Sequence, residues 1–310
     1  MPGVPDALVT SNRSRPISTE ASMLKHRLFF GTLMTLFFTG LVVVDGWLDG
    51  SLTSSADTKG IQGTILCLLI AILAIPVQFE MARLIAKTGA KVFKPIVIIA
   101  SILLATSWYW RQFHPEPLEF HLYYVLFVSA FSLFALLLYQ GLRFGATAAM
   151  ANCAANFFAI FYLGLLSGFV LGVRIDFGIW CVIMFVFTVK SSDIGAYAIG
   201  SLFGRHKFSP QISPHKTWQG LAGAVIFASI VAILFSHFCG IMQWWSAVVF
   251  GAIFAFLGQL GDLAESMIKR DAEQKDSAHT VPGFGGILDI IDSSLATAPV
   301  AYLFFMLTVG

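Results

Sequence analysis

The chain has 310 residues, of which 57% are hydrophobic and 12% charged, with a net charge of +2 and a mean hydropathy of +0.80. Soluble domains lie nearer about 45–50% apolar, so a soluble globular domain is excluded, and no nucleic-acid partner is expected. Runs of about 20 apolar residues recur, long enough to cross a hydrocarbon core of about 30 Å. An all-α, polytopic integral membrane protein with about nine transmembrane helices is therefore predicted.

The first 27 residues are polar, rich in Ser, Pro and Thr, and end in Lys25-His26-Arg27. With no apolar core near its start, this stretch does not read as a secretory signal. A disordered cytosolic tail is expected, a transit peptide being the weaker alternative. Hydropathy then predicts spans over 28–47, 61–79, 93–110, 120–140, 148–172, 176–189, 218–238, 243–261 and 293–309. With the N-terminus in the cytosol, all but three of the 19 basic residues fall in cytosolic segments, the exceptions being Lys59, Arg111 and Arg174. That asymmetry supports nine spans, with the C-terminus on the opposite side. It also puts both long polar loops, 190–217 and 262–292, in the cytosol. The division expected is a tail over 1–27, N-terminal membrane helices over 28–172, and a catalytic membrane region over 173–310. Cys67, Cys153, Cys181 and Cys239 all lie in or beside apolar runs, at neither metal nor disulfide spacing, and read as small core residues.

In the first loop, Asp193 stands between an apolar helix and a turn rich in small residues. An ionisable side chain at membrane depth is costly and points to function. Gly195, Gly200 and Gly204 allow close backbone approach, but no Gly-Lys-Ser/Thr follows to make a nucleotide-binding loop of the Walker type. Arg205, His206, Lys207, His215 and Lys216 bracket Ser209-Pro210 and Ser213-Pro214. Proline stiffens the loop, so this basic cluster suits phosphates, or alternatively lipid headgroups.

The second loop opens with Asp262 and Glu265. If the preceding helix continues, Asp262, Glu265, Ser266 and Lys269 share a face. Lys269-Arg270 and Lys275-Asp276 follow, and then the turn Pro282-Gly283-Phe284-Gly285-Gly286. Asp289 and Asp292, three apart at the start of the last helix, project from one face near the positive end of its dipole. The bland reading is a pair of helix-start acids. The functional reading is a hard divalent cation, Mg²⁺, held by Asp262, Asp289 and Asp292, with Lys216, Lys269 and Arg270 as countercharge for phosphates. No cysteine or Ser-His pair is placed as a nucleophile. Chemistry that needs only positioning and charge neutralisation, such as phosphoryl or nucleotidyl transfer, fits best.

These stretches resemble the phosphatidate cytidylyltransferase (CDP-diacylglycerol synthase) family. Ser266, Lys269, Arg270, Lys275, Asp276, Pro282, Gly283, Gly285, Gly286, Asp289 and Asp292 match its C-terminal pattern in register. The upstream stretch Gly258-Gln259-x-Gly261-Asp262-Leu263-x-Glu265 is similar as well. So is the first loop through Asp193-x-Gly195-Ala196-Tyr197, Phe203-Gly204-Arg205 and Ser213-Pro214-x-Lys216-Thr217-Trp218, and Glu80-x-x-Arg83-Leu84 matches more faintly. The resemblance implies transfer of CMP from CTP to phosphatidate, giving CDP-diacylglycerol and pyrophosphate in phospholipid biosynthesis. It implies catalytic roles for Asp289, Asp262, Lys269 and Arg270. It implies substrate contacts from Asp193, Arg205, Lys207, Ser213, Lys216, Ser266, Lys275, Gly285 and Gly286. Mg²⁺ is implied as cofactor, with a neighbouring monovalent cation left open. Phosphatidate would enter from the cytosolic leaflet of a membrane, most simply the bacterial plasma membrane. Whether two copies pair as a homodimer is open.

Four positions depart from the family pattern. Phe284 stands where the family has His, Ile290 where it has Arg, and His215 and Gln219 where it has Lys and Glu. Losing an arginine beside the carboxylates removes a permanent cation. Either another basic residue compensates, or the substrate differs, or activity falls. The alternatives are thus a CTP-dependent transferase on another lipid phosphate, an ion-coupled transporter using Asp193 and Asp262, and a non-catalytic relative.

Overall fold

The computed structural model describes the backbone of residues 17–52, 60–278, 280–281 and 285–309. Of the expectations above, those for residues 1–16, Lys59, Pro282, Gly283 and Phe284 lie outside the described residues. The stretch read as a tail is helical from Ile17, where α1 (Ile17–Leu48) begins. α2 (Thr64–Lys87), α3 (Lys94–Ala105), α4 (Ser107–Arg111), α5 (Pro117–Phe144), α6 (Ala149–Ala159) and α7 (Leu166–Phe177) follow. Then come α8 (Ile179–Phe203), a hairpin of β1 (Lys207–Ser209) and β2 (Ser213–Thr217), α9 (Trp218–Cys239), α10 (Trp244–Asp271) and α11 (Leu288–Thr308).

Eight helical spans among the described residues are long and apolar enough to cross a membrane, α6 and α7 counting as one continuous span. The expected span 93–110 is instead a broken pair, α3 and α4. At the break, Thr106 Oγ1 donates back to the Ile102 carbonyl at 2.8 Å and accepts from Trp110 Nε1 at 3.1 Å. Such side-chain bonds compete with the helix ladder. The pair still runs the length of α2, because Gln112 after α4 exchanges hydrogen bonds with the backbone of Gln62 before α2 at 2.9 and 3.0 Å.

α6 and α7 are joined by a π-helical turn, Ile160–Leu165. Inserted side chains are a recognised cause of such a shift in the ladder. Here Gln78 of α2 donates to the Ala159 carbonyl at 3.0 Å and to Ser101 Oγ at 2.6 Å. Gly164 lets the turn sit directly on α3, since a Cβ there would lie 2.7 Å from Ser101 Cα.

Two expected boundaries move. The loop predicted over 190–217 is helical as far as Phe203, and the loop predicted over 262–292 shrinks to residues between Asp271 and Leu288. The cause is the same in both. Small residues that read as turn formers are helix contacts instead. A Cβ on Gly195 of α8 would lie 2.5 Å from the Gly223 carbonyl of α9, and one on Gly261 of α10 2.7 Å from Ala296 Cβ of α11. Close packing through small residues replaces the missing hydrophobic drive between helices in lipid.

The main core gathers Phe185 of α8, Phe250 and Phe254 of α10 and Phe305 of α11. A second core joins Met81 of α2, Leu104 of α3, Ile160 and Leu288. A buried charge cluster closes the end of the bundle away from the hairpin. Arg174 of α7 is fully buried and meets Asp45 at 2.9 Å and Asp49 at 2.6 Å. Asp45 also accepts from the Ile65 amide at 2.7 Å, and Asp49 from the Ser51 amide at 2.9 Å and the Gly63 amide at 3.2 Å. These acids tie α1, α2 and α7 together.

Candidate active site

At the opposite end, α8 and α10 finish while α9 and α11 begin. Between them lies a cavity of about 370 Å³, lined by Asp193, Ser213, Lys216, Gln259, Asp262, Asp289 and Asp292 among others. The hairpin roofs it. Thr217 caps α9 by accepting from the Gly220 amide at 3.1 Å, the usual duty of a threonine at a helix start. That cap fixes the direction in which β2 delivers Lys216, whose ammonium reaches Asp262 at 2.7 Å and the Gln259 carbonyl at 2.8 Å.

The continuation of α10 past Gly261 decides the acidic wall. Asp262 and Glu265 are three apart on one face, and α11 brings in Asp292. One oxygen from each of these three carboxylates lies within 4.8 Å of the others. Glu265 is fully buried, and its charged neighbour of opposite sign is Lys269, one turn on. Three hard oxygen donors held so close fit a divalent cation. Asp262 and Asp292 were expected there. Glu265 was read as sharing a face with Asp262 but given no role. The signal for it is its i, i+3 spacing from Asp262.

Asp289 occupies a different position from the one expected. It lies outside the trio and is saturated by donors. Lys269 reaches it at 2.7 Å, the Gly286 amide at 2.6 Å, and the Ser277 amide and hydroxyl at 3.1 and 2.9 Å. Asp289 thus organises the segment before α11, and Lys269 bridges it to Glu265. Gly285, at φ +106°, is required here, because a Cβ would lie 2.5 Å from Asp289 Oδ2.

Glu80 of α2 completes this segment from far along the chain. Only 1% exposed, it accepts from the Ile287 amide at 3.1 Å, the Leu288 amide at 2.9 Å and Thr280 Oγ1 at 2.8 Å, and lies 3.2 Å from Ser277 Oγ, whose one hydrogen it shares with Asp289. The first amides of α11 have no partner within their own helix, and a carboxylate from another helix caps them. Its sequence signal was the faint family match Glu80-x-x-Arg83-Leu84 in an apolar run.

The remaining expected residues divide. Asp193, Ser213 and Lys216 line the cavity, as does Gln259, which donates to Asp193 at 3.3 Å. Arg205 and Lys207 are exposed on the hairpin and its approach. Arg270 is exposed and donates to the Gln274 carbonyl at 3.3 Å, and Lys275 is also exposed. Ser266 lies on α10, and neither it nor Gly285 or Gly286 borders the cavity. The resemblance spoke for a linear pattern, and only part of it converges on one space.

Residues 57–308 match the model of the cytidylyltransferase family. The chain belongs to that family. The family match takes in α2 through α11 and so covers both walls of the cavity and the Glu80 cap. Among curated relatives, the phosphatidate cytidylyltransferase of Mycobacterium bovis is 38% identical over 124 residues, 40% of each chain. That of Haemophilus influenzae is 37% identical over 134 residues, 41% of this chain and 46% of the relative. That of Chlamydia muridarum is 38% identical over 153 residues, 47% of this chain and 50% of the relative. The matched stretches thus span about two fifths to one half of these curated relatives.

Proposed function

We propose that this protein transfers CMP from CTP to phosphatidate, releasing pyrophosphate and leaving CDP-diacylglycerol in the membrane. The observation that carries the reading is the carboxylate trio Asp262, Glu265 and Asp292, two of whose members line one cavity with Lys216 at the helix ends. Acids alone would repel a triphosphate, whereas acids that hold a metal beside lysines attract one. In the reaction, an oxygen of the lipid phosphate attacks the α-phosphorus of CTP. That bond forms as the bond from the α-phosphorus to the bridging oxygen breaks, and the electron pair leaves on pyrophosphate. The lipid is its own nucleophile, so no side chain need supply one, in keeping with the residues around the cavity.

Mg²⁺ bound by the trio would neutralise charge on the phosphate oxygens. Lys216, held by the capped hairpin, adds positive charge without moving to do so, which is where electrostatic preorganisation gains its effect. Lys269 and Asp289 position the walls rather than touch substrate. Gln259 orients Asp193 at the rim. The basic asymmetry of the loops favours a cytosolic cavity, with the N-terminus there and the C-terminus opposite, and the bacterial relatives support a plasma membrane.

The test is an assay in detergent micelles with radiolabelled CTP, phosphatidate and Mg²⁺, with and without EDTA. Label entering the lipid phase only when metal is present is the expected result. Folded, metal-binding protein that labels other lipid phosphates but not phosphatidate would move the substrate assignment. Protein that labels none would remove the transferase reading.

A further inference from the structure

We propose that Lys190 binds the phosphate of the lipid substrate, supplying the positive charge that Ile290 does not. The inference rests on the transferase reading above and adds to it a residue read from sequence only as a loop cation. Lys190 belongs to α8 and sits one turn before Asp193, deeper in the bundle than the carboxylate at the rim. Its ammonium crosses to α11, where it donates to the Ile290 carbonyl at 2.5 Å. The nearest carboxylate, that of Asp193, stands at 3.7 Å.

The other lysines of the site are compensated more fully. Lys216 meets Asp262 at 2.7 Å, and Lys269 lies between Glu265 and Asp289. Lys190 spends one of its three donors on a neutral carbonyl and keeps two. Its side chain lies beside the cavity lining rather than in it, but is 36% exposed, so an incoming group can reach it. A cation at this depth is costly, its pairing with Asp193 is long, and a phosphomonoester supplies an anion that can come closer. Depth also chooses between the two substrates. A lipid anchored by its acyl chains presents its phosphate from the membrane side, where Lys190 lies, whereas a soluble triphosphate arrives past the hairpin, where Lys216 lies. The place is telling too. The ammonium rests against the backbone of residue 290, the position at which the family pattern carries Arg and this chain carries Ile.

The experiment compares the full chain in mixed micelles as wild type, Lys190→Ala, Lys190→Gln, and Lys190→Gln combined with Ile290→Arg. Thermal unfolding of each variant reports whether it is folded. Gln can still donate to the Ile290 carbonyl but carries no charge, so it separates a structural bond from phosphate binding. Lys190→Gln is expected to raise KM for phosphatidate about tenfold or more, the scale of a lost charged hydrogen bond, with KM for CTP within about twofold of wild type. Adding Ile290→Arg is expected to recover most of the loss. A Lys190→Gln enzyme with unchanged KM for phosphatidate overturns the proposal, as does a rise confined to CTP or a defect that Ile290→Arg leaves untouched. A wild type that turns over no lipid phosphate defeats the transferase reading instead. Binding of the chain to phosphatidate-containing nanodiscs then decides the role of Lys190, and equal binding by wild type and Lys190→Gln overturns it.

Discussion

Carboxylates that look equivalent in a linear motif have different surroundings. Asp292 faces Asp262 and Glu265, whereas Asp289, one turn earlier, is filled by Lys269, Ser277 and Gly286. Their substitutions should therefore fail differently. Asp292→Asn is expected to lower turnover by about 100-fold or more and to raise the Mg²⁺ concentration needed for half-maximal rate, the behaviour of a lost ligand. Its unfolding temperature should change little. Asp289→Asn leaves Lys269 with Glu265 alone and should lower the unfolding temperature by several degrees as well as the rate, since breaking a buried pair is destabilising. Steady-state kinetics against metal concentration, paired with thermal unfolding in detergent, separates the two. Equal metal dependence in both variants would return Asp289 to the ligand set. The acids of this site could be read as a list from the sequence, because each lies at a helical spacing. Which of them meet could not, because that depends on the angle at which α11 crosses α10.

Among the elements, the start of α11 is the piece most dependent on partners elsewhere. Its capping carboxylate comes from α2, about two hundred residues earlier in the chain. Glu80→Gln keeps the shape but weakens the bonds to a charged acceptor. A loss of about 1–3 kcal/mol is expected, with faster amide exchange at Ile287 and Leu288 and a slower reaction, although Glu80 does not line the cavity. Hydrogen exchange read by mass spectrometry checks the first effect. Unchanged protection of those amides would show that the cap contributes nothing. The α8–α9 contact is the second such case. Gly195→Leu places side-chain atoms where the Gly223 carbonyl and Phe227 already sit, and overpacking of this kind costs about 1–3 kcal/mol. The glycines were read from sequence as allowing close backbone approach, but within a turn. That they mark a helix contact follows only once α8 is seen to run on to Phe203.

For the whole molecule, the two ends of the bundle are held by different physics. One end carries the cavity and its polar walls, the other the buried cluster of Arg174, Asp45 and Asp49. Arg174→Ala leaves two buried acids without their cation and should cost about 3–5 kcal/mol, while each molecule that stays folded keeps wild-type turnover. Loss of specific activity without loss of stability would contradict that division. A pH effect follows from the same end. Burial acts to raise the Asp49 carboxyl, but bonds from Ser51 together with the Arg174 charge outweigh it and leave it below its ordinary value. A group lowered on folding contributes stability above its unfolded value and loses it as pH falls through the folded one. Thermal stability in detergent should therefore drop below about pH 4, and Asp49→Asn should flatten the drop.

The sequence by itself determined the membrane class, the bundle of apolar helices, the family resemblance and the pool of charged residues from which a site could be drawn. Each of these rests on composition or on spacing along one helix, and both are local. Only the tertiary structure decided that Glu265 joins Asp262 and Asp292, that Asp289 serves Lys269, that Glu80 caps α11, and that Lys190 reaches the backbone of Ile290. Each of those is a meeting of two helices, set by where small residues let backbones approach and where buried charges demand partners. The chain order alone carries no record of that choice.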